Sequence, residues 1–377
     1  MTVRGIFKIF IAMAFLISAQ NAEAGKKPML ALSKLKDQCI KILEEAAKSE
    51  NSYVRSASAR AIGESENPAL IPQLQKAAED VYHNTRLFAL QGMKKISKRE
   101  ALALAGKLIN DSNIWVQSSA IEMLGDLGGA EYKEQIRPFL DSDDPAVRLS
   151  ASAALIKLGE NDKYEFLLEP LKRADSVYIY HAIGHLGKIG NKEARSHLIP
   201  LLNHPEAEMV FYGLKAIGKN VRTDMIPRLN ELSYSENPSI RHQAALELGR
   251  LPSHYTRDRL IQLCDDSDGM VRIASAVALK RFNQKSCDGV FAEVLADPDF
   301  GIRSAAARAL GETRLDNRVQ LLEKASRDSN TRVRTAATRA IGMMGGSQAF
   351  PLLIRLLGDE NKAVRAYAAG NLLRILK

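Results

Sequence analysis

The chain has 377 residues, 46% of them hydrophobic and 26% charged, with 53 Lys and Arg against 44 Asp and Glu for a formal net charge of +9. Three cysteines are too few for a disulfide framework, so the core must be built from Leu, Ile, Val and Ala. The moderate positive charge suits acidic proteins, anionic lipid surfaces or wall polymers, and no linker or low-complexity segment interrupts the chain.

Residues 1–24 read as a signal peptide. Arg4 and Lys8 supply a positive start, Ile9 to Ile17 an apolar stretch, and Ala22-Glu23-Ala24 a small-x-small cleavage site. The apolar run is too short to span a membrane, so no stable insertion is expected after cleavage. No Cys follows it to carry a lipid. The expected product is an exported chain, periplasmic or secreted, starting at Gly25. Loss of Arg4, Lys8 and Glu23 leaves it at +8. Outside the cytoplasm nucleic acid is a poor fit as a partner. Residues 25–32 read as a flexible lead-in.

From Ser33 to Lys377 the chain repeats every 31 residues without insertion or deletion. The first apolar position of each unit is Val54, Thr85, Val116, Val147, Tyr178, Met209, Ile240, Val271, Ile302, Val333 and Val364. A fixed period of this size marks a solenoid, whose units bury their apolar faces only against neighbours. Three residues before most of these anchors stands an Asn or Asp: Asn51, Asn113, Asp144, Asp175, Asn237, Asp268, Asp299, Asn330 or Asn361. Each predicts the N-cap of a helix starting there, with Tyr82 and Glu206 as exceptions. Four residues after the anchor only Ser, Ala or Gly occurs, which predicts a close helix approach. Nine after it Gly is frequent, which predicts a helix C-terminus. A second helix precedes each cap, for example Asp288 to Leu295 or Gln348 to Leu357.

The run Val333 to Gly342, VRTAATRAIG, following an acidic turn, resembles the HEAT repeat, and specifically its phycobilisome-lyase-like variety. The resemblance covers eleven units from about Ser33 to Lys377. It implies an all-α fold, a right-handed α-solenoid of helix pairs with one helix row concave and the other convex. It also implies that the Arg after the anchor (Arg55, Arg86, Arg148, Arg241, Arg272, Arg303, Arg334 and Arg365) belongs to a structural ladder with the turn acids. Gln117, Ile179 and Val210 break that column, the last two side by side in the middle.

The columns two and six after the anchor vary freely and predict an exposed face. In the middle repeats they turn apolar and aromatic, through Leu149, Tyr180, Phe211, Leu246 and Ile273, with Tyr212 alongside. Such a contiguous stripe predicts an interaction surface unless tight curvature buries it. Ten after the anchor Lys157, Lys188, Lys219, Arg250 and Arg281 form a basic rail that would orient an acidic partner. Cations at helix C-termini are also favoured by the dipole alone. Trp115 is placed at the groove edge.

His181 and His185 are four apart on one helix but lack an obvious third ligand, so no metal site and no cofactor are expected. HEAT-like diiron hydroxylases use His-Glu dipeptides, and none of the seven histidines here precedes Glu. Cys39 and Cys287 fall eight units apart, and Cys264 and Cys287 about two helical turns out of step, so free thiols are expected. The C-terminal run Asn371 to Lys377 is apolar where a polar cap is usual. The expectation is a non-enzymatic, exported scaffold that binds a protein or peptide through Leu149, Tyr180, Phe211, Tyr212, Leu246 and Ile273, with Lys188, Lys219 and Arg250 orienting it. The alternatives are a lyase- or oxidoreductase-like enzyme and a structural protein binding envelope polymer. Oligomeric state is not legible.

Overall fold

The computed structural model describes residues 22–173 and 178–377, with the side chains of residues 22–30, Lys219 and Ser253 outside the description. The predicted leader falls outside it over residues 1–21, as does the cap residue Asp175. The described residues are all-α, an array of paired helices without a strand. They divide into two compact units, one of the described residues up to 97 together with 322–377, and the other of the described residues between 98 and 321.

The first unit begins with α1 (Ala22–Ala47), α2 (Ser52–Ser65), α3 (Ile71–Ala77) and α4 (His83–Ile96). The second unit opens with α5 (Lys98–Leu108), α6 (Ile114–Leu127), α7 (Lys133–Ile136), α8 (Pro145–Lys157) and α9 (Tyr164–Lys172). It continues through α10 (Ile179–Ile189), α11 (Lys192–Leu198), α12 (Ala207–Ile217), α13 (Ile226–Leu232), α14 (Pro238–Leu248) and α15 (Ser253–Leu263). It closes with α16 (Gly269–Arg281), α17 (Val290–Val294) and α18 (Phe300–Glu312); α19 (Arg318–Ala325) straddles the boundary. The first unit resumes with α20 (Thr331–Met344), α21 (Gly346–Leu356) and α22 (Lys362–Ile375). Residues 25–32, expected as a flexible lead-in, belong to α1: Ala24, Met29, Leu30 and Ala31 are strong helix formers and carry the helix through them.

The caps stand where the repeat places them. Asn51, Asn113, Asp144, Asn237, Asp268, Asp299, Asn330 and Asn361 each accept from backbone amides at the start of their helix, and Tyr82 and Glu206 do not. The arginine column is structural. Arg55, Arg86, Arg148, Arg241, Arg272, Arg303, Arg334 and Arg365 all donate to the carbonyls five and six residues earlier, pinning the turn that leads into the helix. Arg55, Arg241 and Arg334 also fork onto the acids Asp80, Asp266 and Asp359 of the next repeat. The guanidinium holds Asp80 and Asp266 below the usual carboxylate range, although burial of the two acids opposes it. Where the column breaks at Gln117, the amide donates to Ile109 O instead, at 3.0 Å.

Two expectations are corrected here. The ninth-position glycines do not simply end helices. A Cβ on Gly125 or Gly187 would stand 2.6 Å from Ala154 or Ala216 of the next repeat, so these glycines let neighbouring helices touch. Cys264 and Cys287 are also not free: they form a disulfide with Cα atoms 6.1 Å apart. Cys264 lies just past the end of α15 and Cys287 just before the five-residue α17, so helical phase does not govern either. Cys39 is the free, fully buried thiol, pushed up to about 12 by burial.

In the first unit the last helix packs on the first pair, and this covers the apolar C-terminus. Asn371, Leu372 and Leu373 are buried, and Gly370 lies directly on the backbone of Ala61 in α2. Arg339 of α20 donates to both oxygens of Glu64, at 2.5–3.2 Å, and its guanidinium also lies over the buried ring of Tyr367. Lys377 reaches Glu66 at 3.2 Å.

Candidate functional site

The second unit carries a concavity of about 730 Å³ on the row of anchor helices. It is lined by Glu122 and Asp126 of α6, Lys157 of α8, Tyr180, Gly184 and Lys188 of α10, Tyr212 and Lys215 of α12, and Arg250 beyond α14, among others. This row is the inner one, because helices two repeats apart meet across it. Lys188 donates to Glu122, 66 residues away, at 2.6 Å, and Trp115 stacks on His181 with ring centroids 5.6 Å apart. Between them α8 presents only small or recessed groups: Ala146, Ser150 and Ala153 are buried, which lets α6 and α10 close over it.

Burial corrects part of the predicted stripe. Leu149 is 3% exposed and Ile273 5% exposed, so neither lines an open groove. Leu149 belongs to α8, which packs between α6 and α10, and Ile273 to α16, which packs between α14 and α18. Tyr180, Phe211, Tyr212 and Leu246 remain half-buried, and the first and third of these line the concavity; Leu246 does not. Trp115 keeps half its surface and stacks on His181. Lys188 and Arg250 line the concavity, whereas the side chain of Lys219 lies outside the described residues.

The aromatic wall is ordered by ring contacts. Tyr180 and Tyr212, one repeat apart, stack with centroids 4.1 Å apart, and Phe211 meets Tyr212 edge-on at 5.2 Å. The Tyr180 hydroxyl donates to Glu208 at 2.5 Å, and that bond pushes its phenol up to about 12, so Tyr180 is a neutral donor. The cations are partly spoken for: Lys157 pairs with Asp126 and Lys188 with Glu122, both at 2.6 Å, and Arg250 with Glu247 at 3.0 Å. Glu247 is buried, and the burial raises its carboxyl above the ordinary range. Lys215 has no carboxylate partner among the described residues and lies 6.0 Å from the Phe211 ring centroid.

Behind the concavity is a buried polar string that the sequence did not disclose. His185 Nε2 lies 3.4 Å from Ser150 Oγ, and its Nδ1 faces Glu122 at 3.7 Å without a hydrogen-bond partner. Burial pushes the imidazole down to about 4, against the pull of Glu122, so it is neutral at pH 7. The order Ser–His–Glu is that of a hydrolytic triad. Ser150, however, is 2% exposed and its hydroxyl also bonds the carbonyl of Ala146 at 2.9 Å, so no substrate carbonyl can reach it. His181 turns to aromatic neighbours, Trp115 and Tyr178. Among the described residues no group of three His, Cys, Asp or Glu is arranged to hold a metal. No described helix is long and apolar enough to cross a membrane.

Eleven helix pairs in strict period, eight of them with an Asn or Asp cap among the described residues, define an α-solenoid of helical repeats. The chain belongs to the HEAT-repeat family: it matches HEAT repeats over residues 79–156, 103–179, 225–290 and 287–374, and the PBS lyase HEAT-like repeat over residues 54–80. It is 31% identical over 139 residues to RIPOR family member 3 of Mus musculus, a match that spans 37% of this chain and 13% of that protein. Among solved structures it is similar to an engineered protein, at 18% identity and a TM-score of 0.31 over 90% of this chain and 98% of the other. It is also similar to human deoxyhypusine hydroxylase in complex with glycerol, at 15% identity and a TM-score of 0.33 over 75% and 98%. At such scores neither likeness bears on function.

Proposed function

We propose that this protein is an exported scaffold that holds a segment of another protein against the inner face of its middle repeats. HEAT repeats generally serve protein interactions, which sets the class. The observation that carries the particular site is the half-exposed stack of Tyr180 and Tyr212, with Phe211 against it, at the wall of a cation-lined concavity. Aromatic and arginine side chains in such a setting are the usual anchors of binding. Export is supported by the leader-like start of the chain and by the Cys264–Cys287 bridge, since disulfides persist in oxidising compartments. The sealed position of Ser150 weighs against the enzymatic alternative.

The test is affinity capture from envelope extract with the mature protein and a Tyr180→Asp/Phe211→Asp variant, the fold of each checked by helical circular dichroism and melting. A partner retained by the native protein and lost from the folded variant is the expected result. Equal capture by both would move the site away from this wall. Capture that collapses in salt yet is indifferent to the aromatic pair would favour the polymer-binding alternative.

A further inference from the structure

Gly184 lies inside α10, and a Cβ placed on it would meet nothing within 4 Å. Glycine in a helix interior is destabilising relative to alanine, so it calls for a reason. Gly187, one turn on, has one in the backbone of Ala216. No packing accounts for Gly184. What its missing side chain does is open a notch in the floor of the concavity, with Tyr180 one turn before it and Lys188 one turn after.

The charge around the notch is lopsided. Lys157, Lys188, Lys215 and Arg250 line it against two acids, Glu122 and Asp126. Lys215 is unpaired among the described residues, and Lys188 spends one of three ammonium donors on Glu122. Acids gather at the opposite, tyrosine end: Glu208 bonds the Tyr180 hydroxyl, and Glu206 lies close enough to raise its phenol further. A ligand carboxylate is therefore drawn to the lysine end and repelled from the tyrosine end, which gives the site a direction.

Resting on the scaffold reading above, we propose that the notch at Gly184 receives an acidic side chain of a partner polypeptide, its carboxylate shared by Lys188 and Lys215, and that an apolar residue two positions away, on the same face of the segment, lies on the Tyr180–Tyr212 stack. The occupant is thus an extended segment with acidic and apolar residues two apart on one face.

The probe is a fluorescent ten-residue peptide in which Glu and Leu take turns at every second position with Ser between them, titrated by anisotropy against the mature protein, with a Gln-for-Glu counterpart. The Glu peptide is expected to bind at least tenfold more tightly. Gly184→Met should weaken it at least tenfold without lowering the melting temperature, because the side chain enters open space. Lys215→Glu should weaken it similarly, while Lys107→Glu, the same charge change on the exposed end of α5, should not. Equal binding of the two peptides, no binding of the Glu peptide, an indifferent Gly184→Met or an equal loss with Lys107→Glu would each overturn the proposal. An envelope partner lost from the Tyr180→Asp/Phe211→Asp variant but kept by Gly184→Met would overturn it while leaving the scaffold reading in place.

Discussion

The same substitution at two glycines one turn apart in α10 should have opposite signs. Gly184→Ala gains the helix-propensity difference, about 0.5–1 kcal/mol, because its Cβ meets nothing within 4 Å. Gly187→Ala gains the same term, but its Cβ arrives 2.6 Å from the Ala216 carbonyl oxygen and 2.8 Å from its Cα. Ordinary contact would require α12 to retreat by about 0.6–0.8 Å, and overpacking of this kind costs about 1–3 kcal/mol. The net is a destabilisation of up to about 2 kcal/mol. Repeats interact mainly with their neighbours, so the change should be local to α10 and α12. Hydrogen exchange resolved by peptide, together with urea unfolding, reads both quantities. Slower exchange of residues 179–189 in Gly184→Ala and faster exchange there in Gly187→Ala are expected. Shifts of the same sign in the two variants would refute the packing argument.

His185 has its folded pKa pushed down to about 4, below the unfolded value of 6.5, so the unfolded chain takes the proton first. Its contribution is intact above about pH 6.5 and is lost as pH falls towards 4, a cost of about 3 kcal/mol. Urea midpoints from pH 7 to pH 4 should therefore fall less steeply in His185→Gln than in the native protein, and parallel curves would contradict the assignment. At the meeting of the chain ends, Arg339→Ala strips Glu64 of its fork and leaves only the 3.3 Å contact from Arg60, so a loss of about 2–3 kcal/mol is expected. A double-mutant cycle with Glu64→Gln should return most of that loss as coupling; additive single effects would deny the contact. The Cys264–Cys287 bridge closes a 23-residue separation, which by loop entropy is worth about 3 kcal/mol. Thiol titration of the unreduced, denatured protein should find one reactive thiol, from Cys39, and three would exclude the bridge.

Features confined to one repeat were legible in the sequence, because they are local and recur. The caps Asn51 to Asn361 and the arginines that pin their turns follow from side chains within six residues of their targets. Contacts that depend on how repeats curve were not. Glu122 and Lys188 join across the repeat between them, and Leu149 of that repeat is buried, neither of which a single-repeat pattern encodes. The His185–Glu122 approach skips a repeat in the same way. The Arg339–Glu64 fork joins residues 275 apart, so an apolar C-terminus that reads as uncapped is in fact covered. The disulfide escaped because its cysteines lie where helical phase stops applying. Of the candidate site, the aromatic residues were readable from, or alongside, the variable columns two and six after the anchor and Lys188 from the basic rail ten after it, whereas the notch at Gly184 acquires meaning only beside Gly187.

The central claim is that the inner face at α10 and α12 holds a partner. A photoreactive phenylalanine analogue at Tyr212, on the concavity, and at Tyr255, 60% exposed on the outer helix α15, tests it in the living cell. The account predicts a discrete crosslinked adduct from position 212 and none from 255. An adduct from 255 alone, the same adduct from both, or none from either would contradict it.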